Sequence, residues 1–189
     1  MKPHPVLPHR YTSEQEKSAF VRKLFDAGAP FYDGVTGWGF LGTGKAYRKM
    51  AQNRAGVGPG KKVLDCAAGT GVMAAAAMDL GVKREDILCV DVSPGMLEVA
   101  KEKHGVATLV ATVDDLPLED SQYDFVTMGY ALRHVKSLET TFSEYFRVLR
   151  PGGRVLILEI TIPPNGFARG CFRLYFRDIY PALTRMFTG

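Results

Sequence analysis

The stretch Val63-Leu64-Asp65-Cys66-Ala67-Ala68-Gly69-Thr70-Gly71 constrains the fold more than any other. A Gly58-Pro59-Gly60 turn and Lys61-Lys62 lead into Val63 to Cys66, an apolar run sized for a buried parallel strand. Small residues follow at once, and Val72-Met73-Ala74-Ala75-Ala76-Ala77-Met78 then reads as a helix of strong helix formers. Strand, side-chain-poor turn and helix form the first unit of a nucleotide-binding α/β fold. Such a turn must be nearly bare so that backbone N–H groups and the helix start can approach a ligand closely. A Gly-x-Gly alone also fits an ordinary turn, so its surroundings must decide.

Those surroundings are informative. Ile87-Leu88-Cys89-Val90-Asp91 is a second apolar run, and its closing carboxylate stands twenty positions after Gly71. An acid at the carboxyl end of the second strand lies beside the first turn and can accept both ribose hydroxyls of a nucleoside. Asp65 sits inside the first strand, where a carboxylate needs a strong reason. It either caps the following turn through backbone N–H groups or sets its charge against a cationic ligand, and the two readings are compatible.

At 189 residues the chain predicts one domain with a substantial core. Its 46% hydrophobic and 23% charged content is that of a folded chain rather than a disordered one. A net charge of +4 argues against a dedicated nucleic-acid binder. The three cysteines have no metal spacing, and Cys66 and Cys89 fall in strands, so they read as reduced core thiols of a cytosolic protein. No metal site is expected: His4 and His9 have no companions to complete one. With no signal peptide and no run of eighteen apolar residues, the expectation is a cytoplasmic chain that neither is exported nor spans a membrane.

Four regions follow in order. Residues 1–11 form an extended arm, and 12–56 form a helical lid region. The latter opens at Thr12-Ser13-Glu14-Gln15-Glu16, places Phe20, Leu24 and Phe25 on one face and breaks at Ala29-Pro30. A Gly- and aromatic-rich loop to Thr43, a lid or a simple connector, precedes a helix over Lys45 to Arg54. Residues 57–162 are the α/β core. Ser93-Pro94 caps a helix whose Met96, Leu97 and Ala100 face the sheet. Strands are predicted over Val106 to Ala111, Tyr123 to Met128 and Arg154 to Ile160, the last entered through Arg150-Pro151-Gly152-Gly153. Leu138, Phe142, Tyr145, Phe146 and Leu149 make a helical stripe read as core. Five strands alternating with helices give a parallel, doubly wound sheet. In residues 163–189, Arg169, Arg173 and Arg177 recur every fourth residue among Phe172, Tyr175, Phe176 and Ile179. A basic, aromatic amphipathic helix of this kind suits membrane-surface contact through 166–180, or a lid packed across a greasy pocket.

Several motifs together carry a family resemblance: Asp65 to Gly71, Asp91-Val92-Ser93-Pro94-Gly95-Met96-Leu97, Leu116-Pro117-Leu118, Ala131-Leu132-Arg133-His134-Val135 and Leu149-Arg150-Pro151-Gly152-Gly153. The chain resembles a class I S-adenosylmethionine methyltransferase, and more narrowly the UbiE-type C-methyltransferases of ubiquinone and menaquinone synthesis, from about Phe25 to Gly189. The Leu24-Phe25-Asp26 opening and the Arg173-Leu174-Tyr175-Phe176 ending are the more particular similarities.

The resemblance implies an α/β, Rossmann-like doubly wound parallel sheet, with S-adenosylmethionine as cofactor and S-adenosylhomocysteine as product. It implies that Gly69, Thr70 and Gly71 line the methionine end, Asp91 holds the ribose, and Thr112 and Val113 flank the adenine. Gly129 and Tyr130 stand near the transferred methyl, and Asp65, Ala67, Val92 and Met96 complete the cofactor set. The family usually has Asp or Asn at Thr112, whose hydroxyl can still bond the adenine amine, and Asn at His134. The implied reaction is methyl transfer to a small lipophilic aromatic acceptor, C-methylation of a quinol-ring precursor, at the inner face of the membrane or in the cytoplasm. In that chemistry Arg133 orients or stabilises the acceptor oxygen and His134 assists proton removal; otherwise Arg133 pairs with an acid and His134 caps the next helix.

The family sheet has seven strands, and only five are readable here. The chain is then a fragment, or a homodimer partner or other subunit covers the edge beside the fifth strand. A non-catalytic subunit of the same fold is the alternative function. A nicotinamide oxidoreductase is disfavoured because Ala74 replaces the third fingerprint glycine.

Overall fold

The computed structural model describes residues 42–179 continuously, together with positions 16, 20, 22, 23, 25, 26, 28, 29, 34 and 181. The expected arm at 1–11, the helix start at 12–15, Leu24 and most of the loop before Thr43 lie outside the described residues.

Helix α1, Gly44–Ala55, ends at Gly56, whose left-handed backbone (φ 95°) lets its N–H and that of Val57 close the last turn on Asn53 and Gln52 carbonyls. Strand β1, Val63–Cys66, is buried at all four positions, as the apolar run predicts. Helix α2, Val72–Met78, then turns back over the sheet. Strand β2, Ile87–Asp91, follows, and helix α3, Pro94–His104, starts at Ser93, whose hydroxyl caps the Met96 N–H at 3.1 Å. Strand β3 is Ala107–Val110, and β4 is Tyr123–Gly129. Helix α4, Leu138–Val148, runs directly into β5, Leu149–Leu158, and α5, Gly166–Leu174, follows.

The five strands are all parallel in the order β3-β2-β1-β4-β5. The order reverses beside β1, so its carboxyl end opens into a crevice between β2 and β4. One face of the sheet buries Val63, Ile87 and Phe125 against Ala74 and Ala77 of α2 and Leu97 of α3. The other buries Leu64, Val90 and Met128 against Tyr145 and Val148. Each fully buried aliphatic side chain contributes about 1.5–3 kcal/mol. Cys66 and Cys89 are indeed core thiols, whose titration burial pushes up, while Cys171 is exposed.

Two expectations need correction. The α4 stripe is narrower than predicted: Tyr145 is wholly buried with Thr141 and Val148, but Phe142 is 41% and Phe146 84% exposed. The helix rests on the sheet along its 141/145/148 line, and positions 142 and 146 rotate past that line to solvent. Strand β5 starts earlier and stops earlier than predicted, because Leu149 already pairs with Tyr123 before the Arg150-to-Gly153 turn bulges out. Among the described residues no strand pairs with the outer edge of β5.

Candidate active site

The bend after β1 is built from left-handed backbone: Ala67 (φ 51°), Gly69 (φ 54°) and Gly71 (φ 78°). Gly71 serves packing, since a Cβ there meets His104 Cδ2 at 2.9 Å and Ala100 Cβ at 3.1 Å, both on α3. Gly69 serves access, since a Cβ there meets nothing within 4 Å. The bend is therefore tight on one side and open on the other.

Asp91 turns back into this bend. Its Oδ2 accepts the Gly69 N–H at 2.9 Å and its Oδ1 the Ser93 N–H at 2.9 Å. Burial pushes the carboxyl up from its ordinary range, and those N–H groups oppose the shift. Each oxygen keeps an accepting site for a hydroxyl.

Asp65 is fully buried, with Oδ1 accepting the Thr127 hydroxyl at 2.9 Å and Oδ2 the Ala74 N–H at 3.2 Å. Ala74 is the third residue of α2, whose own N-cap, Gly71, has no side chain to offer. Asp65 supplies that cap from the neighbouring strand. Burial lifts its pKa from 3.8 to about 7, against the hydrogen bonds from Thr127 and Ala74 and, more weakly, the Arg48 charge.

The remaining cofactor candidates divide by exposure. Thr70 and Met96 are buried, Ala67 is half-buried and Val92 is 39% exposed. Val113 packs into the core cluster that holds Leu64 and Val90. The Thr112 hydroxyl accepts the Asp114 N–H at 3.4 Å.

On the other side of the crevice, Gly129 closes β4, and a Cβ there approaches Met73 Cγ to 3.0 Å. Tyr130 takes a left-handed backbone (φ 60°), and its N–H donates to the Leu158 carbonyl at 2.7 Å. The guanidinium of the buried Arg48 lies 5.4 Å from its ring centre. A cavity of about 480 Å³ opens here, walled by Thr43, Gly44, Ala46, Tyr47, Met50, Tyr130, Glu159 and Ile160. Arg133 donates to Glu159 Oε1 at 2.9 Å and to the Tyr130 carbonyl. His134 is exposed, outside the cavity wall, with its ring edge-on to Phe25 at 5.8 Å.

Sequence reasoning gave no role to four residues here. Asp26 accepts the Ser93 hydroxyl at 2.5 Å and the Gly95 N–H at 3.1 Å, tying the N-terminal region to the start of α3 beside Asp91. Gln52 donates to the Met73 carbonyl at 2.9 Å and holds α1 on α2. Arg48 and Glu159 complete the set. Glu159 had a usable signal, an acid just past an apolar strand, but the strand was carried on to Ile160 and hid it. Among the described residues no three His, Cys, Asp or Glu side chains form a metal cluster, and no helix is long and apolar enough to cross a membrane.

Comparison with known proteins agrees with this geometry. A family model described as the ubiE/COQ5 methyltransferase family matches residues 11–189. A demethylmenaquinone methyltransferase of Symbiobacterium thermophilum is 34% identical over 180 residues, 90% of this chain and 71% of that protein. A ubiquinone/menaquinone biosynthesis C-methyltransferase of Desulfotalea psychrophila is 35% identical, over 90% of this chain and 70% of its own. A solved S-adenosylmethionine-dependent methyltransferase from Thermotoga maritima matches with a TM-score of 0.60 at 26% identity, over 85% of this chain and 71% of that one.

Proposed function

We propose, since this chain belongs to the ubiE/COQ5 methyltransferase family, that it methylates a ring carbon of a lipophilic hydroquinone. It is an S-adenosylmethionine-dependent methyltransferase of that family, and the alternative of a non-catalytic scaffold draws no support from the match. The observation that carries the finer reading is a juxtaposition at one edge of the sheet. The bare bend and the Asp91 carboxylate lie at the ends of β1 and β2, and the largely apolar cavity against Tyr130 lies at the ends of β4 and β5.

The residues fit the cofactor. The open side of Gly69 leaves room for its methionine end, and Asp91 has accepting capacity left for ribose hydroxyls. When bound, S-adenosylmethionine supplies an activated methyl whose carbon–sulfur bond breaks with the electron pair left on sulfur. The protein has then to align the acceptor in line with that bond and exclude water, which accounts for most of such a rate enhancement. Tyr47, Met50, Tyr130 and Ile160 give a flat ring and its greasy substituent an apolar bed. A hydroquinone ring carbon gains electron density when a phenolic proton departs, so a proton acceptor beside Tyr130 is required.

The relatives' names, menaquinone and ubiquinone methylation, support a hydroquinone acceptor. Helix α5 supports a lipid-surface approach to it: none of its residues is buried, Phe167 is 83% exposed, and Arg169 and Arg173 share the helix. The deciding assay is incubation with labelled S-adenosylmethionine and a panel of demethylated quinols. Label in the quinol is expected. No label in any of them, from protein that binds S-adenosylhomocysteine, overturns the proposal.

A further inference from the structure

We propose that Glu159 takes the hydroxyl proton of the methyl acceptor, and that Arg133 is the positioning residue that holds its carboxylate for the task. The proposal rests on the reading above in one respect, that the acceptor carries a phenolic hydroxyl.

Glu159 is the acid in the cavity wall, and its two oxygens are unequally used. Oε1 accepts from Arg133 at 2.9 Å and from the Ile160 N–H at 3.0 Å. Oε2 is shielded from water and accepts from no donor among the described residues. A carboxylate offers about four accepting sites, so the group is half satisfied. Leaving a shielded acceptor unmatched destabilises it, a cost that an arriving donor removes. The terminal carboxyl torsion of Glu is broad, so small rotations present the unused oxygen to the cavity.

The rest of the wall selects the donor. Thr43 contributes a hydroxyl, but Tyr47, Met50, Tyr130 and Ile160 present rings and hydrocarbon. Arg133 already compensates the carboxylate charge, so a second cation gains little there. A neutral O–H on a flat apolar body fits both the bed and the acceptor. Gly129 pairs with Leu158, and Tyr130 donates to Leu158, so Tyr130 and Glu159 stand side by side past the ends of β4 and β5. The charged and titratable groups around Glu159 are Arg133, Tyr130, Tyr47 and, across the Tyr130 ring, Arg48.

In the step itself the phenolic O–H bond breaks, its electron pair stays on oxygen, and the proton passes to Glu159. Once the ring carbon is methylated, its C–H proton leaves to water and the C–H electron pair restores the aromatic ring as a phenolate, which takes up a proton from water, while Glu159 returns its own proton to water. One proton is released per turnover.

The test compares wild type with E159Q, E159A, E159D and R133M. Each is loaded with S-adenosylhomocysteine and titrated calorimetrically with a short-chain 2-prenyl-1,4-naphthohydroquinone, kept reduced, and with its dimethyl ether. Wild type should prefer the hydroquinone by about tenfold or more, E159Q should keep that preference because its amide oxygen still accepts, and E159A should lose it. In turnover, E159Q should lose about 10²–10⁴-fold in kcat with KM little changed, and E159D should recover part of it. R133M should lower kcat without altering S-adenosylhomocysteine affinity, which a merely structural defect would lower. Equal wild-type affinity for the two ligands, or E159Q within about twofold of wild-type kcat, overturns the proposal. Preference for the hydroquinone without label transfer to any quinol sinks the assigned reaction and leaves the Glu159 site standing. Transfer undiminished in E159Q does the reverse.

Discussion

Replacing Asp65 by Asn separates the two roles that a carboxylate inside β1 can play. In the folded chain Asp65 is fully buried and titrates at about 7 instead of 3.8, chiefly because burial disfavours its charged form. The folded protein therefore holds this proton more tightly than the unfolded chain does. That contribution is fully present below the unfolded pKa and is lost as pH rises through the folded one. Integrating between those limits, the Asp65 contribution falls by about 2 kcal/mol from about pH 5.5 to about pH 8.5. Asn keeps the shape and one accepting oxygen but cannot titrate. Near pH 5.5, where folded Asp65 is protonated, D65N should match wild type within about 0.5 kcal/mol, because its amide oxygen can accept the Ala74 N–H and its NH2 can donate to the Thr127 hydroxyl. By about pH 8.5 D65N should be the more stable by about 2 kcal/mol, which for a domain of this size sets its Tm above that of wild type by about 4–8 °C. Thermal melts of both proteins across that pH range supply the readout. Parallel stability curves, with the difference between the two proteins constant to about 0.5 kcal/mol, refute the reasoning.

Asp91→Ala should weaken S-adenosylhomocysteine binding by about 10²-fold or more, since each hydrogen bond to a charged group contributes about 1.5–3 kcal/mol, and calorimetry checks it. Gly71→Ala places a methyl 2.9 Å from His104 Cδ2 in a left-handed backbone, so the Tm should fall even without cofactor, by a loss of at least about 1–2 kcal/mol. Arg169→Glu with Arg173→Glu should abolish sedimentation with anionic vesicles at low salt while leaving S-adenosylhomocysteine affinity unchanged; wild type that ignores anionic lipid counts against the α5 surface.

What the sequence displayed was local order; what it concealed was register. Strands β1 and β2 and helix α2 could be bounded to the residue, because apolar runs flanked by turn residues leave few alternatives. Asp91 was readable for the same reason, a carboxylate at the end of such a run. The partners of Asp65 were not: Thr127 lies 62 residues away, and only the β1–β4 pairing sets the two side by side. Arg133 shows the limit well. An acidic partner was one of two readings open for it, but that partner, Glu159, is 26 residues on, past a strand whose end was placed too late. Phe146 misled in the other direction, since a helical stripe says which residues are neighbours, not how wide a strip the sheet covers.

Helix α1 joins the two sides of the crevice at the ends of the strands. Gln52 fastens it to the Met73 carbonyl on α2, behind the bare bend, and Met73 in turn lies against Gly129 at the end of β4. One turn earlier, Arg48 reaches over Tyr130, in the wall of the acceptor cavity, while its charge opposes the raised titration of Asp65 on the cofactor side. Both Gln52 and Arg48 project from α1, so that one helix holds contacts on the bend side and on the Tyr130 side of the crevice.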